Sequence, residues 1–438
     1  MRRTGFFQIV PPWQLLLVFG AAFFLRLFFA PLQGFSWDVK DLVQRDQYAA
    51  EHGVTHIADL VAGTSIPLYP PLAIYQGAVV DRIFAGRLAR LGTQYPQVAE
   101  VWTRVRFKLL AISYDLLTGL IILLVLTQIT APPWPLWGAA LYLFNPGVWI
   151  DSAWFGQIDA VHSCYMFLCV LCLGIAWGGQ RDGWLIAAWV MFGLATCAKL
   201  QSILILPLLG WATLLRRNAT VIVGSALAGL VTIVALYSPY LLTRQWDYLD
   251  HVFIKSFTFY HLTQLSAFNV WALLPVLPAS NKILGVSYAQ IGNVLALASL
   301  GWLLMLLTPH LQPGTRQPDN LRKVLVAGAY ECVVLFVVLT HMHERYMEPA
   351  IPLLVLAGCL DRRLRWLALG ISLNYGLNLL YVLRQIATPV DSIAVRNAGS
   401  FAIRVFGSFL NMGLLCWFTI HLPQLLAAPA PGTSPEKP

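Results

Sequence analysis

Apolar stretches long enough to cross the roughly 30 Å hydrocarbon layer of a bilayer recur along this 438-residue chain, with only short polar breaks between them. In lipid every backbone N–H and C=O must be satisfied within the protein, which leaves helices or a closed barrel. The length of the stretches selects helices, at about 11–30, 70–86, 107–128, 160–178, 183–198, 200–215, 219–241, 286–308, 322–340, 347–360, 366–384 and 401–424. The expected fold is an all-α, polytopic transmembrane bundle of about twelve spans in one unit over 1–426. Composition agrees: 11% of residues are charged, against about 25% in soluble domains. The N-terminal Met1-Arg2-Arg3 and the apolar run after it imitate a signal peptide. That run is long and has no small-x-small cleavage site, so it is a retained first span. Residues 427–438, rich in Pro and Ala, have the composition of a disordered tail. The seven Cys lie in apolar stretches, and the single CxxC spacing, Cys169 to Cys172, falls within one apolar run with no second pair, which argues against a disulfide or zinc framework.

The net charge of +9 is an orientation signal, and nucleic acid is not an expected partner. Basic residues mark the cytoplasmic side: Arg2 and Arg3, then Arg82, Arg87, Arg90, Arg104 and Arg106, Arg181, Arg216 and Arg217, Arg316, Arg322 and Lys323, and Arg362, Arg363 and Arg365. Both termini are then cytoplasmic, and an acidic loop at about 31–69 faces outward. Parity requires the Pro-rich segment between Thr130 and Ala160 to dip into the membrane as a re-entrant hairpin and return. This topology collects the polar clusters at one face: the acidic loop, Tyr69-Pro70-Pro71, Gln157 to Asp159, Lys199-Leu200-Gln201, Ser266 to Asn269 and the segment Thr340 to Tyr346. Ionisable residues placed so expensively beside lipid mark a functional site.

Asp38 follows the first span. A carboxylate held above a cavity can deprotonate an acceptor hydroxyl; the alternative is a helix N-terminal role, with Ser36 or Asp38 as cap. His341, His343 and Arg345, joined by Lys199, would form a cationic pocket for a phosphate. His341 and Arg345, four apart, would share a helical face. Against this, Glu344 and Arg345 could neutralise one another, and His-x-His is half of a metal site whose further ligands are not located. No cofactor is assigned, and a divalent ion stays open. Gln157 and Asp159 could bond sugar hydroxyls or tie down backbone at the hairpin tip. Lys108 and Asp115, seven apart on one helix, form a structural polar track.

The ordered set Asp38, Tyr69-Pro70-Pro71-Leu72, Asn145-Pro146, Gly156-Gln157-Ile158-Asp159, Lys199-Leu200-Gln201, Ala267-Phe268-Asn269-Val270-Trp271 and His341-Met342-His343-Glu344-Arg345-Tyr346 resembles the GT-C superfamily of glycosyltransferases. These enzymes use polyprenyl- or dolichyl-phosphate sugars, and the likeness is to bacterial relatives of the mannosyltransferase that adds the second mannose of GPI anchors. The resemblance implies an inverting hexose (mannose) transfer from a lipid-phosphate donor to a lipid or glycan acceptor, at the outer face of the cell membrane. It implies Asp38 as base and Lys199, His341, His343 and Arg345 near the donor phosphate; Tyr69, Gln157, Asp159, Gln201, Asn269 and Glu344 are the candidate substrate-binding residues. Two departures, Leu68 before Tyr69 and Leu200 between Lys199 and Gln201, weaken any transfer of substrate preference. The competing class is a transporter or flippase for a phosphorylated or lipid-linked sugar, which also carries intramembrane charge.

Overall fold

A computed structural model describes residues 10–179, 181–311, 317–387 and 393–427; all but the first residue of the tail assigned to 427–438 lies outside them. The chain is a multi-pass helical bundle. Its helices are α1 (Pro12–Phe29), α2 (Ser36–His52), α3 (Pro71–Gln94), α4 (Pro96–Ile129), α5 (Trp134–Leu143), α6 (Asp159–Gly179), α7 (Asp182–Ala198), α8 (Leu206–Leu214), α9 (Ala219–Leu242), α10 (Tyr288–Leu307), α11 (Gln317–Val338), α12 (Ala350–Leu360), α13 (Arg365–Ala387) and α14 (Ile393–Ala427). Seven helices are long and apolar enough to cross a membrane unaided; Asp182–Ala198 and Leu200–Leu214 are shorter apolar helices. The one sheet among the described residues is an antiparallel pair, β1 (Lys282–Ile283) with β2 (Val286–Ser287).

Burial separates inside from outside. In α6, 83% of the apolar window is buried, against 11% in α1 and in α9, so α6 is central while α1 and α9 face lipid. Lipid tails give helices no hydrophobic reason to associate, and close approach of small residues replaces it. At the α7–α9 contact, a Cβ on Gly193 would stand 3.0 Å from the Gly229 carbonyl oxygen.

Cross-helix bonds define two ends. At one end, Arg216 bonds the Ala176 carbonyl, Asn320 the Trp177 carbonyl, and Arg322 lies 3.4 Å from Asp361. At the other, Lys108 Nζ donates to the carbonyls of Leu32 (2.8 Å) and Trp154 (3.1 Å), placing the end of α1, residue 108 of α4 and the start of α6 together. Trp189 Nε1 donates to Thr213 Oγ1 at 3.0 Å, so α7 and α8 form a hairpin whose tip is Lys199.

Two segments trade the roles that hydropathy assigns them. Helix α3 packs antiparallel on α4 through an Asp81–Arg106 ion pair and a Gln76–Tyr114 hydrogen bond, and Arg82 Nε donates to the Ala50 carbonyl of α2. The second half of α3 and the first turns of α4 therefore project beyond the end that carries Lys108, and 70–86 does not cross. The segment 134–155 instead runs the length of α4: the Leu143 carbonyl accepts from Arg26, which pairs with Asp115, Ser152 donates to Asp115 at 2.6 Å, and Trp154 reaches Lys108. It traverses rather than dips. Charge explains the exchange. A crossing by 70–86 would take Asp81 and Arg82 into lipid, at about 2.5–3.5 kcal/mol each at mid-membrane, whereas 134–155 carries Asp151 alone. Arg82, Arg87, Arg90, Arg104 and Arg106 thus stand with the acidic loop, opposite to their expected side.

Candidate functional site

Four elements meet at the end marked by Lys108: the start of α2, the turn before α6, the tip of the α7–α8 hairpin and the turn between α11 and α12. Helix α2 is docked by Phe35, whose N–H donates to the Phe155 carbonyl at 2.9 Å and whose ring stacks on Phe155 with centroids 5.3 Å apart. Asp38 lies in the first turn of α2, where the helix dipole favours a carboxylate. It is not a cap: the N-cap is Phe35, without a side-chain bond. Asp38 Oδ2 accepts a 2.7 Å hydrogen bond from Gln157 Nε2 and lies 3.4 Å from Arg345 Nη2.

Gln157 is delivered by an irregular turn. Residues Ile150–Phe155 form a π-helical segment, a local distortion frequent at functional sites. The N–H groups of Gly156 and Gln157 both donate to the Asp151 carbonyl. Gly156 has φ +84°, and a Cβ there would press on Lys108 and Val39, so this turn requires glycine. Asp159 then opens α6, fully buried. Its Oδ1 takes a 2.5 Å bond from Lys199 Nζ, and its Oδ2 lies 3.5 Å from Arg345 Nε. Asp159 therefore anchors the two cations and does not present a free carboxylate to a sugar. Lys199 Nζ also sits 4.9 Å from the centroid of the Tyr346 ring.

The turn after α11 is extended, then 3₁₀ from Glu344 to Met347. His341 has φ +62° and bonds Thr340 Oγ1 at 2.9 Å. His341 and Arg345 do not share a helical face, because the helix ends at Val338, yet both line the cavity. His343 does not line it; it is wedged edge-on between Tyr260 (4.8 Å) and Tyr346 (5.1 Å). Burial, then the nearby Arg345 charge, pushes the His343 pKa down, and burial, then His261, does the same for His341. Both imidazoles are thus neutral at physiological pH, and the cations of this site are Lys199 and Arg345.

Arg345 is the hub. Glu344 (2.8 Å), Asp38 (3.4 Å) and Asp159 (3.5 Å) surround its guanidinium. Burial disfavours the charge, but these carboxylates outweigh it and hold the Arg345 pKa well above its ordinary value. Glu344 responds in kind: burial would raise its pKa, and Arg345 overrides that and lowers it. Glu344 therefore serves Arg345, and it does not line the cavity.

Beside this hub is a cavity of about 310 Å³ lined by Tyr69, Lys199, Gln201, Tyr260, His341 and Arg345, among others. Its wall includes Ile203 and Phe257, which are 47% and 70% exposed on the outer surface of the bundle. Asn269 is elsewhere: its side chain accepts from the N–H groups of Trp271 and Ala272 and donates to the Leu339 carbonyl. It is a fully buried structural cap. Tyr260 lines the cavity without having been singled out, and nothing in the sequence around it distinguishes it from the other aromatics. Among the described residues, no group of three or more His, Cys, Asp or Glu side chains is placed to hold a metal ion.

No protein-family model and no curated protein matches the sequence. Solved structures do. The chain is similar to ArnT from Cupriavidus metallidurans bound to undecaprenyl phosphate, with a TM-score of 0.50 and 18% identity over 94% of this chain and 77% of that one. It is similar to the apo state of the same protein with a TM-score of 0.50 and 16% identity over 93% and 77%. At such identities the likeness is one of fold, and the architecture is accordingly a transmembrane helical bundle similar to that of ArnT.

Proposed function

We propose that the protein is an integral membrane glycosyltransferase that moves a hexose, mannose by resemblance, from a polyprenyl-phosphate donor to an acceptor hydroxyl, with inversion. The observation that carries this reading is the juxtaposition of Asp38 with Arg345, 3.4 Å apart, beside a cavity that also presents Lys199. Asp38 takes the proton of the acceptor hydroxyl, and its oxygen attacks the anomeric carbon from the face opposite the phosphate. The bond from that carbon to the phosphate oxygen breaks, and Arg345 and Lys199 stabilise the charge that develops there. Gln157 fixes the carboxylate that acts as base.

The exposed Ile203 and Phe257 give the lipid chain of a donor an apolar exit from the cavity into the bilayer. The undecaprenyl phosphate bound to the neighbouring ArnT structure supports a ligand of that chemistry. The short loops at the end opposite the site carry Arg181, Arg216, Arg217, Arg322, Lys323, Arg362, Arg363 and Arg365; short loops weigh most in the positive-inside rule, which supports an extracytoplasmic site in the cell membrane although Arg82, Arg87, Arg90, Arg104 and Arg106 stand at the site's own end.

Asp38→Asn tests the reading. The variant should insert and fold as the wild type, because Gln157 and Arg345 can still bond the amide oxygen, and sugar transfer from a polyprenyl-phosphate hexose should be abolished. Wild-type turnover by Asp38→Asn would remove Asp38 from the chemistry. Lipid-linked sugar moved across vesicles without any transfer would favour a flippase.

A further inference from the structure

Beneath the site, two carboxyl groups face one another with no basic partner. Asp151 and Glu348 are both 0% exposed, and Glu348 lies within hydrogen-bonding reach of Asp151. None of their four carboxyl oxygens accepts a hydrogen bond from any other group. The nearest cations, Arg345 and Lys199, are already engaged by Asp38, Glu344 and Asp159. Tyr375 is close to the pair, yet its hydroxyl donates nothing, and neither ring nitrogen of His162 has a partner. Two adjacent carboxylates, buried and unpaired, are not a tolerable state in a low-dielectric interior. A proton between them makes one a donor and the other an acceptor, and satisfies both.

Each acid belongs to a different wall of the site. Asp151 lies in the first turn of the π-helical segment, and its carbonyl holds the turn that presents Gln157 and Asp159. Glu348 closes the 3₁₀ turn that presents Glu344 and Arg345, its N–H donating to the Arg345 carbonyl at 3.1 Å. A bond between the two side chains therefore fastens together the elements that supply the two partners of Asp38. We propose that Asp151 and Glu348 share one proton and act as a positioning clamp that holds Gln157 and Arg345 in register around Asp38. Neither lines the cavity, so both act through their neighbours. The proposal rests on the assignment of Asp38 and Arg345 to the reacting centre.

Infrared difference spectroscopy on the purified full-length protein tests the proton directly, without requiring turnover. Wild type minus Glu348→Gln, at a pH where free carboxyls are ionised, should show a protonated-carboxyl C=O band, and other buried acids cancel in the difference. Transfer assays then separate bond from charge. Glu348→Gln and Asp151→Asn keep a donor and an acceptor in place and should retain turnover within about threefold, whereas Glu348→Leu should lose tenfold or more in kcat with little change in donor KM. Absence of the band, or a Glu348→Gln variant as impaired as Glu348→Leu, would overturn the clamp. A wild-type protein that shows the band but transfers no sugar would instead defeat the glycosyltransferase reading alone.

Discussion

At the scale of single residues, the site turns on Arg345, because one planar fork meets carboxylates from three directions. Lysine has a single point charge and cannot reproduce that geometry. Arg345→Lys should therefore lower kcat/KM by about 10²–10³-fold, the usual cost of removing one preorganised donor from an oxyanion site. It should weaken donor binding more than acceptor binding in titrations of the purified variant. Equal losses for both substrates would make Arg345 a structural tie between its carboxylates. Lys199 and Arg345 were legible in the sequence because a charge flanked by apolar helices is costly and conspicuous. Their pairing was not: Lys199 and Asp159 are 40 residues apart, and only packing brings them together. The histidines misled for a related reason, since their neutrality follows from burial, and sequence does not state burial. Asn269 looked like a ligand because an Asx cap on the backbone two and three residues ahead leaves no mark beyond the Asn itself.

At the scale of elements, α2 holds the base in place. Asp46, two turns beyond Asp38, packs its carboxyl against Gly77 of α3. Burial raises its pKa to about 8, although Arg106 and Arg45 work against the rise. Arg106 also pairs with Asp81, and Arg45 with Asp41. The folded protein thus binds a proton at Asp46 that the unfolded chain, with a carboxyl near about 3.9, has released. Stability from this group is present at low pH and is lost as pH rises from about 4 to about 8. Protection factors of amides along α2 and α3, which correct for the intrinsic pH dependence of exchange, should fall over that window in the wild type, and Asp46→Asn, which fixes the neutral form, should remove the fall. A variant that keeps the wild-type pH profile would place the titration elsewhere. The element α2 itself was foreseeable as a helix-forming outward segment. Its docking on Phe155 was not, because the π-helical distortion and the left-handed Gly156 have no periodic signature.

At the scale of the whole molecule, helices were legible in nearly every long apolar stretch, but hydropathy alone misplaced two segments. Windows of apolar content favoured 70–86 over the proline-interrupted 134–155, whereas the deciding quantity is the number of charges that must enter lipid, two in 70–86 and one in 134–155. The two arrangements differ in a way that can be measured. If α3 crossed the membrane, Arg90 would lie beside Arg217; with α3 lying along the site-bearing end, the two are on opposite faces. In a Cys416→Ser background, which removes the exposed cysteine among the described residues, single cysteines at Arg90 and Arg217 separate the cases. A membrane-impermeant maleimide added outside intact cells should label Arg90→Cys and leave Arg217→Cys unlabelled until the membrane is permeabilised. Labelling of both only after permeabilisation would return α3 to the role of a span. The basic residues of α3 and α4 would then rejoin the cytoplasmic set, and the site would lose the helical scaffold, built on Asp81–Arg106 and on Asp46, that holds Asp38 beside Arg345.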